Sequence, residues 1–320
     1  MATLQIFLIA LLIGLASFSA PTGNQTPAAT KPVLTSDYVW TKLLDTVAWR
    51  RSYNFQMFSH HDTLWVFHPD GNWFSPDGKS WQKSPLPNAI SNVALLDYVQ
   101  FKGAVYGLGH LEGNIEHYKF TPAIYRTTDF QSWQTLTTES NLPRRFYNHP
   151  FVFNDQLWII GGEDSHGQYS DIWSSPDGVT WTRQKDNMPF KQRSNSQVVH
   201  LNGKLFLLNN DVWTSSDGLN WQKLTDEIVK NEEIFGYSAL VYDQKIWLLG
   251  CNRNGQYSSQ VLVSADGQHW EEQQASWSAR GGVAATVHQG KVYLTGGKNG
   301  GIAKRPELAY SNDMWTLEKK

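Results

Sequence analysis

A short turn that delivers a tryptophan recurs along the chain. Ser75-Pro76-Asp77-Gly78 leads to Trp81, Ser175-Pro176-Asp177-Gly178 to Trp181, and Ser216-Asp217-Gly218 to Trp221. With Trp133, Trp270 and Trp315 added, the unit comes round about every 40 to 50 residues. A repeat of that length is one supersecondary piece that buries its apolar face only against the next copy. Units of this size made of short strands are β-propeller blades.

The copy from Pro150 to Arg183 shows the parts. Pro150-Phe151-Val152-Phe153 turns at Asn154-Asp155 into Leu157-Trp158-Ile159-Ile160-Gly161-Gly162. Asp171-Ile172-Trp173-Ser174 then turns at Asp177-Gly178 into Thr180-Trp181-Thr182-Arg183. Runs of β-branched and aromatic residues split by Asn, Asp and Gly turns are antiparallel hairpins. The second strand recurs as Leu64-Trp65-Val66-Phe67, Val105-Tyr106-Gly107-Leu108, Leu205-Phe206-Leu207-Leu208, Ile246-Trp247-Leu248-Leu249 and Val292-Tyr293-Leu294. The pattern predicts an all-β fold, a six-bladed β-propeller of four-stranded antiparallel blades. One ambiguity attends closure: Val39-Trp40-Thr41-Lys42-Leu43 and Met314-Trp315-Thr316-Leu317 both read as fourth strands, making seven candidates for six blades.

An apolar strand ending in Gly-Gly and followed by a Trp resembles the kelch repeat. The pair is intact at Gly161-Gly162 and Gly296-Gly297 and altered at His68-Pro69, Gly109-His110, Asn209-Asn210 and Gly250-Cys251. The Ser-x-Asp-Gly-x-x-Trp turn is similar to a sialidase Asp-box, one residue tighter between Asp and Gly. Both resemblances imply propellers. In such a turn the Asp bonds backbone N–H groups and the Gly takes the left-handed conformation. Asp77, Asp177, Asp217 and Asp266 are therefore read as structural.

The segment from Phe7 to Phe18 is a short apolar run followed by small residues, and Ser17 and Ser19 precede a cleavable bond near Ala20. This reads as a secretory signal at 1–20, too short for the roughly 20 apolar residues that cross a bilayer. A Pro, Thr and Ala-rich linker follows at 21–37, and the propeller occupies 38–320. The expected location is secreted or periplasmic, with no membrane insertion after signal removal. A net charge of −2 offers no basic field for nucleic acid. Cys251 is the sole cysteine, so the ring holds by packing, and the thiol reads as a small buried group.

The connections after the second and fourth strands vary in length, notably Leu111 to Pro122, Glu163 to Tyr169 and Lys298 to Pro306. Variable loops on a rigid scaffold are where sites are built. On the same face the inner strands begin, and counting back from the turn that follows each one aligns Arg51, Arg145, Arg193 and Arg280. A guanidinium suits bidentate carboxylate recognition, so two readings stand. Either the four bind an anionic ligand, helped by Tyr53, Tyr147 and Phe235, or each ties down loop carbonyls and stacks on an aromatic ring. The kelch resemblance implies acidic peptides as ligands of arginines so placed.

His60-His61-Asp62 falls in a turn on the plain face and reads as turn residues. His68, His110, His149, His166 and Glu163 follow blade spacing, not a metal-ligand pattern, so neither metal nor cofactor is expected. The leading reading is an exported, monomeric binding module for an anionic sugar or an acidic peptide or protein. The alternative is a sugar-acid mutarotase or epimerase, since exported kelch-like propellers include a sialic acid mutarotase family that the chain resembles in fold, size and export signal. Glu163 and His149, with Arg145, are the candidates for acid–base work there. The Arg-Ile-Pro motif of sialidases is absent, and Cys251 lacks the Tyr and paired His context of galactose-oxidase-like copper chemistry.

Overall fold

The computed structural model describes residues 37–53, 55–84, 93–94, 97–108, 111–113, 118–120, 123–130, 132–300 and 309–320. The expected signal at 1–20, the linker up to residue 36, His110 and parts of the two longest loops lie outside these. Residues Tyr38–Lys320 form one compact unit, with no α-helix among the described residues.

Six four-stranded antiparallel sheets are present among the described residues, one for each repeat. Blade one runs Gln56–His60, Thr63–His68, Gly71–Ser75 and Gln82–Lys83; blade two Asp97–Phe101, Ala104–Leu108, Ile124–Thr127 and Gln134–Thr137. Blade three is Phe151–Phe153, Gln156–Ile160, Ile172–Ser175 and Thr182–Lys185; blade four Gln197–Leu201, Lys204–Leu208, Val212–Ser215 and Gln222–Thr225. Blade five is Ser238–Tyr242, Lys245–Leu249, Gln260–Ser264 and Glu271–Gln274. Blade six takes Ala284–His288, Lys291–Thr295 and Met314–Lys319 from the C-terminal end and its outermost strand, Tyr38–Leu44, from the N-terminal end.

This resolves the closure ambiguity. Met314–Lys319 is a third strand, and Trp40 lies opposite Leu317 in the place that Trp181 holds in blade three. The sixth member of the tryptophan repeat is therefore Trp40, and Trp315 belongs with Trp173 and Trp213 on third strands. Pairing the two chain ends in one sheet removes an unpaired edge. Tyr38 adds a link to blade five, its hydroxyl donating to Asp243 Oδ2 at 2.6 Å and its ring edge meeting Trp247 at 4.8 Å.

Each turn repeats one set of bonds. In blade three the Asp177 Oδ1 accepts the N–H groups of Val179 and Thr180, both at 2.8 Å, and Trp181 Nε1 donates to Gly178 O at 3.1 Å. The same pattern holds at Asp77, Asp217 and Asp266. A glycine is required there twice over. Gly178 has φ +80°, and a Cβ on it would stand 2.6 Å from Tyr106 of blade two. The second-strand aromatic of one blade thus lies flat against the turn of the next, as Tyr293 of blade six does on Gly78 of blade one and Phe206 of blade four on Gly267 of blade five. The core is this series of interblade seams, such as Leu157, Ile159, Trp173 and Trp181 packed on Val99, Phe101 and Tyr106. Cys251 is fully buried in one seam, and burial pushes its thiol up to about 12.

Small extra sheets stand on the connections that follow second strands, and two of them also take a strand from the connection that follows the preceding blade's fourth strand. They are the hairpin Glu163–Asp164 with Gly167–Gln168, and the three-stranded sheets Val93–Ala94, Leu111–Gly113, Tyr118–Phe120 and Ile234–Phe235, Cys251–Arg253, Gln256–Ser258. These edges rise over the face where the inner strands begin.

Candidate functional site

Three of the four aligned arginines are closed onto the chain's own carboxylates. Arg145 Nη1 and Nη2 donate to the two oxygens of Asp171 at 2.7 and 3.1 Å, and Trp173 Nε1 donates to Asp171 Oδ2 at 2.7 Å. Arg193 holds Asp211 at 2.7 and 3.0 Å with Trp213 alongside. Arg280 holds Asp313 at 2.5 and 3.0 Å with Trp315 alongside. Remaining donors reach loop carbonyls, Gly161 O for Arg145 and Gly296 O for Arg280. The guanidiniums stack on Tyr169, Phe190 and Trp277. All three side chains are buried, so the ligand-binding role expected for Arg145, Arg193 and Arg280 gives way to a repeated Arg–Asp–Trp clamp.

The carboxylates answer accordingly. Burial pushes Asp211 and Asp313 upward, but the bonds from Arg193 with Trp213 and from Arg280 with Trp315 outweigh it, and both end below the usual range.

Arg51 is not their equivalent. Gly297 N donates to Ser52 O as Gly162 N does to Arg193 O, so Ser52 holds that place and the count back from the turn lands one residue off in blade one. Where Asp171 stands four residues before Ser175, blade one has Gly71 before Ser75, and no clamp forms. Arg51 is exposed and reaches Tyr310 O at 3.5 Å.

What converges on the mouth instead is tyrosine. Tyr53 stacks on Tyr310 at 5.3 Å and 13°, and Lys298 Nζ lies 5.8 Å from the Tyr53 ring. Burial, then the neighbouring Tyr53, Glu163 and Asp97, push Tyr147 up to about 12. Burial, then Tyr53 and Tyr310, likewise raise Tyr257. Residues of blades one, three, five and six therefore lie within electrostatic reach of one another, and Tyr53, Tyr147 and Tyr257, all raised first by burial, keep their protons at neutral pH. Phe235 adds a ring that is 46% exposed. Glu163, facing Phe146 through paired backbone bonds, accepts Ser194 Oγ at 2.7 Å and Gln168 Nε2 at 3.3 Å. The His149 ring lies 3.3 Å from Asn195 Oδ1 and 3.9 Å from Asp97 Oδ1.

Tyr257, Tyr310, Lys298 and Asp97 were not legible as site residues. Tyr257 and Tyr310 occupy the returning strand of the connection, in the place of Gln168: the residue after each, Ser258, Ser311 or Tyr169, pairs back to the first strand. Loop length varies between blades, so sequence spacing hides that equivalence. No cluster of three or more His, Cys, Asp or Glu suited to a metal occurs among the described residues. His61 and Asp62 form a left-handed turn, and His60 stacks on Phe130 at 4.3 Å.

Comparison with known proteins agrees with the architecture. Residues 127–231 match the DUF6242 beta propeller domain. Beta-scruin of Limulus polyphemus is 24% identical over 250 residues, 68% of this chain and 26% of scruin, so the chain spans about a quarter of that relative's length. The solved structure of YjhT superposes with a TM-score of 0.68 at 14% identity, covering 86% of this chain and 97% of YjhT, a likeness of fold alone.

Proposed function

We propose that this chain, a kelch-like β-propeller, is a binding module that takes a carbohydrate over its tyrosine-lined mouth. The convergence of Tyr53, Tyr147, Tyr257 and Tyr310 carries the reading. Aromatic rings offer apolar faces at low entropic cost, and their hydroxyls, with Glu163, Ser194 and Gln168, supply convergent donors and acceptors. Arg51 and Lys298, cations outside the clamps, suit an anionic substituent on the sugar. In this reading the chain is exported and works as a monomer. No described helix is long and apolar enough to cross a membrane.

A second reading, interconversion of sugar anomers, is favoured by the Glu163 carboxylate and the His149 imidazole beside the same tyrosines. Saturation-transfer NMR with neutral hexoses, N-acetylhexosamines, uronic acids and sialic acid tests the binding reading. Tyr257→Ala is expected to weaken a bound sugar tenfold or more, about 1.4 kcal/mol, without lowering the melting temperature. A mouth that binds none of the panel, or binds one equally with and without Tyr257, overturns it.

A further inference from the structure

Two costs meet at the corner of the mouth between blades two and three. Tyr147 and His149 both adopt left-handed backbone, at φ 54° and 36°, a region bulky side chains avoid. Asn195 N–H donates to Tyr147 O, and Gly282 N–H donates to Gly236 O in the same link between blades five and six. Those positions hold the residue types that tolerate such a conformation. Between Tyr147 and His149, Asn148 is 1% exposed, and neither its Oδ1 nor its Nδ2 has a partner. Strain and unpaired buried polar groups gather where a site requires them.

Behind this segment sits Asp97, at the start of the inner strand of blade two and 7% exposed. The aspartates of blades three, four and six are each closed by an arginine and a tryptophan. Asp97 instead receives the backbone N–H groups of Asn148, at 3.2 Å, and His149, and it faces the His149 ring. Burial pushes its carboxyl upward against the pull of His149 and those N–H groups. Tyr147, Tyr53 and Glu163 are further titratable groups near this corner. The His149 side chain keeps 28% of its surface exposed, so the pair has one buried and one accessible member.

We propose that His149 is a proton-transfer group acting on the anomeric hydroxyl of a reducing sugar and that Asp97 is the residue that orients its ring. This deepens the anomer-exchange reading and rests on the mouth binding a sugar. Asn195 Oδ1 is an acceptor, so its 3.3 Å contact holds a proton on Nε2. With the Nδ1 proton toward Asp97, release of the Nε2 proton leaves Nε2 as the base, and a ligand hydroxyl takes the place of the Asn195 oxygen. Nε2 takes the hydroxyl proton as the bond between the anomeric carbon and the ring oxygen breaks. The bonding pair goes to the ring oxygen, which takes a proton from water. The open carbonyl form turns, and the reverse transfers close the ring on its other face with no net change in atoms or electrons.

The test uses the full chain with freshly dissolved galactose and N-acetylmannosamine, following anomer exchange and saturation transfer by NMR. Wild type is expected to accelerate exchange. His149→Gln should lose that acceleration by about a hundredfold or more while saturation transfer persists. Asp97→Asn should slow exchange while saturation transfer persists, move the pH profile of exchange, and add nothing further to His149→Gln. The partly exposed His149 carries the test alone if Asp97→Asn does not fold. Wild type that binds either sugar without accelerating exchange, or His149→Gln at full rate, overturns the proton-transfer role. An exchange rate and pH profile indifferent to Asp97→Asn overturn the role of Asp97. Absence of binding to both sugars overturns this proposal at its premise and is separable from those outcomes.

Discussion

Arg145→Ala puts the reassignment of the arginines to a direct trial. The substitution removes two bonds to Asp171, at 2.7 and 3.1 Å, and one to Gly161 O at 2.8 Å, from a side chain with 0% exposure. Asp171 keeps the Trp173 N–H but becomes a largely buried carboxylate without its counter-charge. Breaking a buried pair from one side costs about 3–5 kcal/mol. The upper part of that range applies here, because Gly161 O loses its Arg145 donor at the same time. For a domain of this size such a loss lowers the melting temperature by roughly 6–20 °C. Arg51→Ala, which removes an exposed side chain with one contact at 3.5 Å, should stay within about 0.5 kcal/mol. Scanning calorimetry on both, with sugar affinity measured in parallel, decides the matter. If Arg145→Ala melts with wild type but loses ligand, the clamp is not structural and the anion-binding role returns.

Gly178→Ala should destabilise more than Gly203→Ala. Both have left-handed backbone, φ +80° and +76°, but only at Gly178 would a Cβ strike a neighbouring ring, while nothing lies within 4 Å at Gly203. Urea midpoints that shift equally for the two would refute the Tyr106 seam. His68 should make stability depend on acid. Asp70 N–H donates to its Nδ1 at 3.1 Å, and its ring sits between Phe55 and Trp73. Burial lowers its pKa from 6.5 to about 4. The unfolded chain thus takes this proton first, so the contribution is complete above about pH 6.5 and is lost as pH falls toward 4, by roughly 3 kcal/mol in all. Unfolding curves of wild type and His68→Leu at pH 7 and pH 4 should differ in their pH response by about that amount. The loss tied to Asp211 and Asp313, whose pKa values are depressed, belongs below that window. Identical pH responses would exclude the His68 effect.

Much of the fold is legible because its determinants are local. The Ser-x-Asp-Gly turn closes its own bonds within a few residues, so Asp77, Asp177, Asp217 and Asp266 announce both the turn and the direction of the following strand. Short alternating runs on either side define the hairpins, and the period sets their grouping into blades. The misplacement of Trp315 shows the limit of this reading. A blade has two tryptophan positions, on the third strand and at the start of the fourth, and only pairing Trp40 with Leu317 tells which end of the chain supplies which.

The candidate site was legible as a face but not as a chemistry. Arg145, Arg193 and Arg280 recur in sequence with Asp171, Asp211 and Asp313 in the same three blades, a covariation that one-dimensional spacing leaves as two unrelated lists. Sequence alone determined the repeat, the turns, the strand order within each blade and the face on which loops vary, since each depends on neighbours a few residues apart. Tertiary structure decided which end of the chain closes the ring, that those arginines turn inward onto aspartates, and that Tyr53, Tyr147, Tyr257 and Tyr310 meet over the mouth beside the strained Asp97–His149 corner. Charge pairing, burial and the convergence of loops from different blades act across space, over separations that no local pattern encodes.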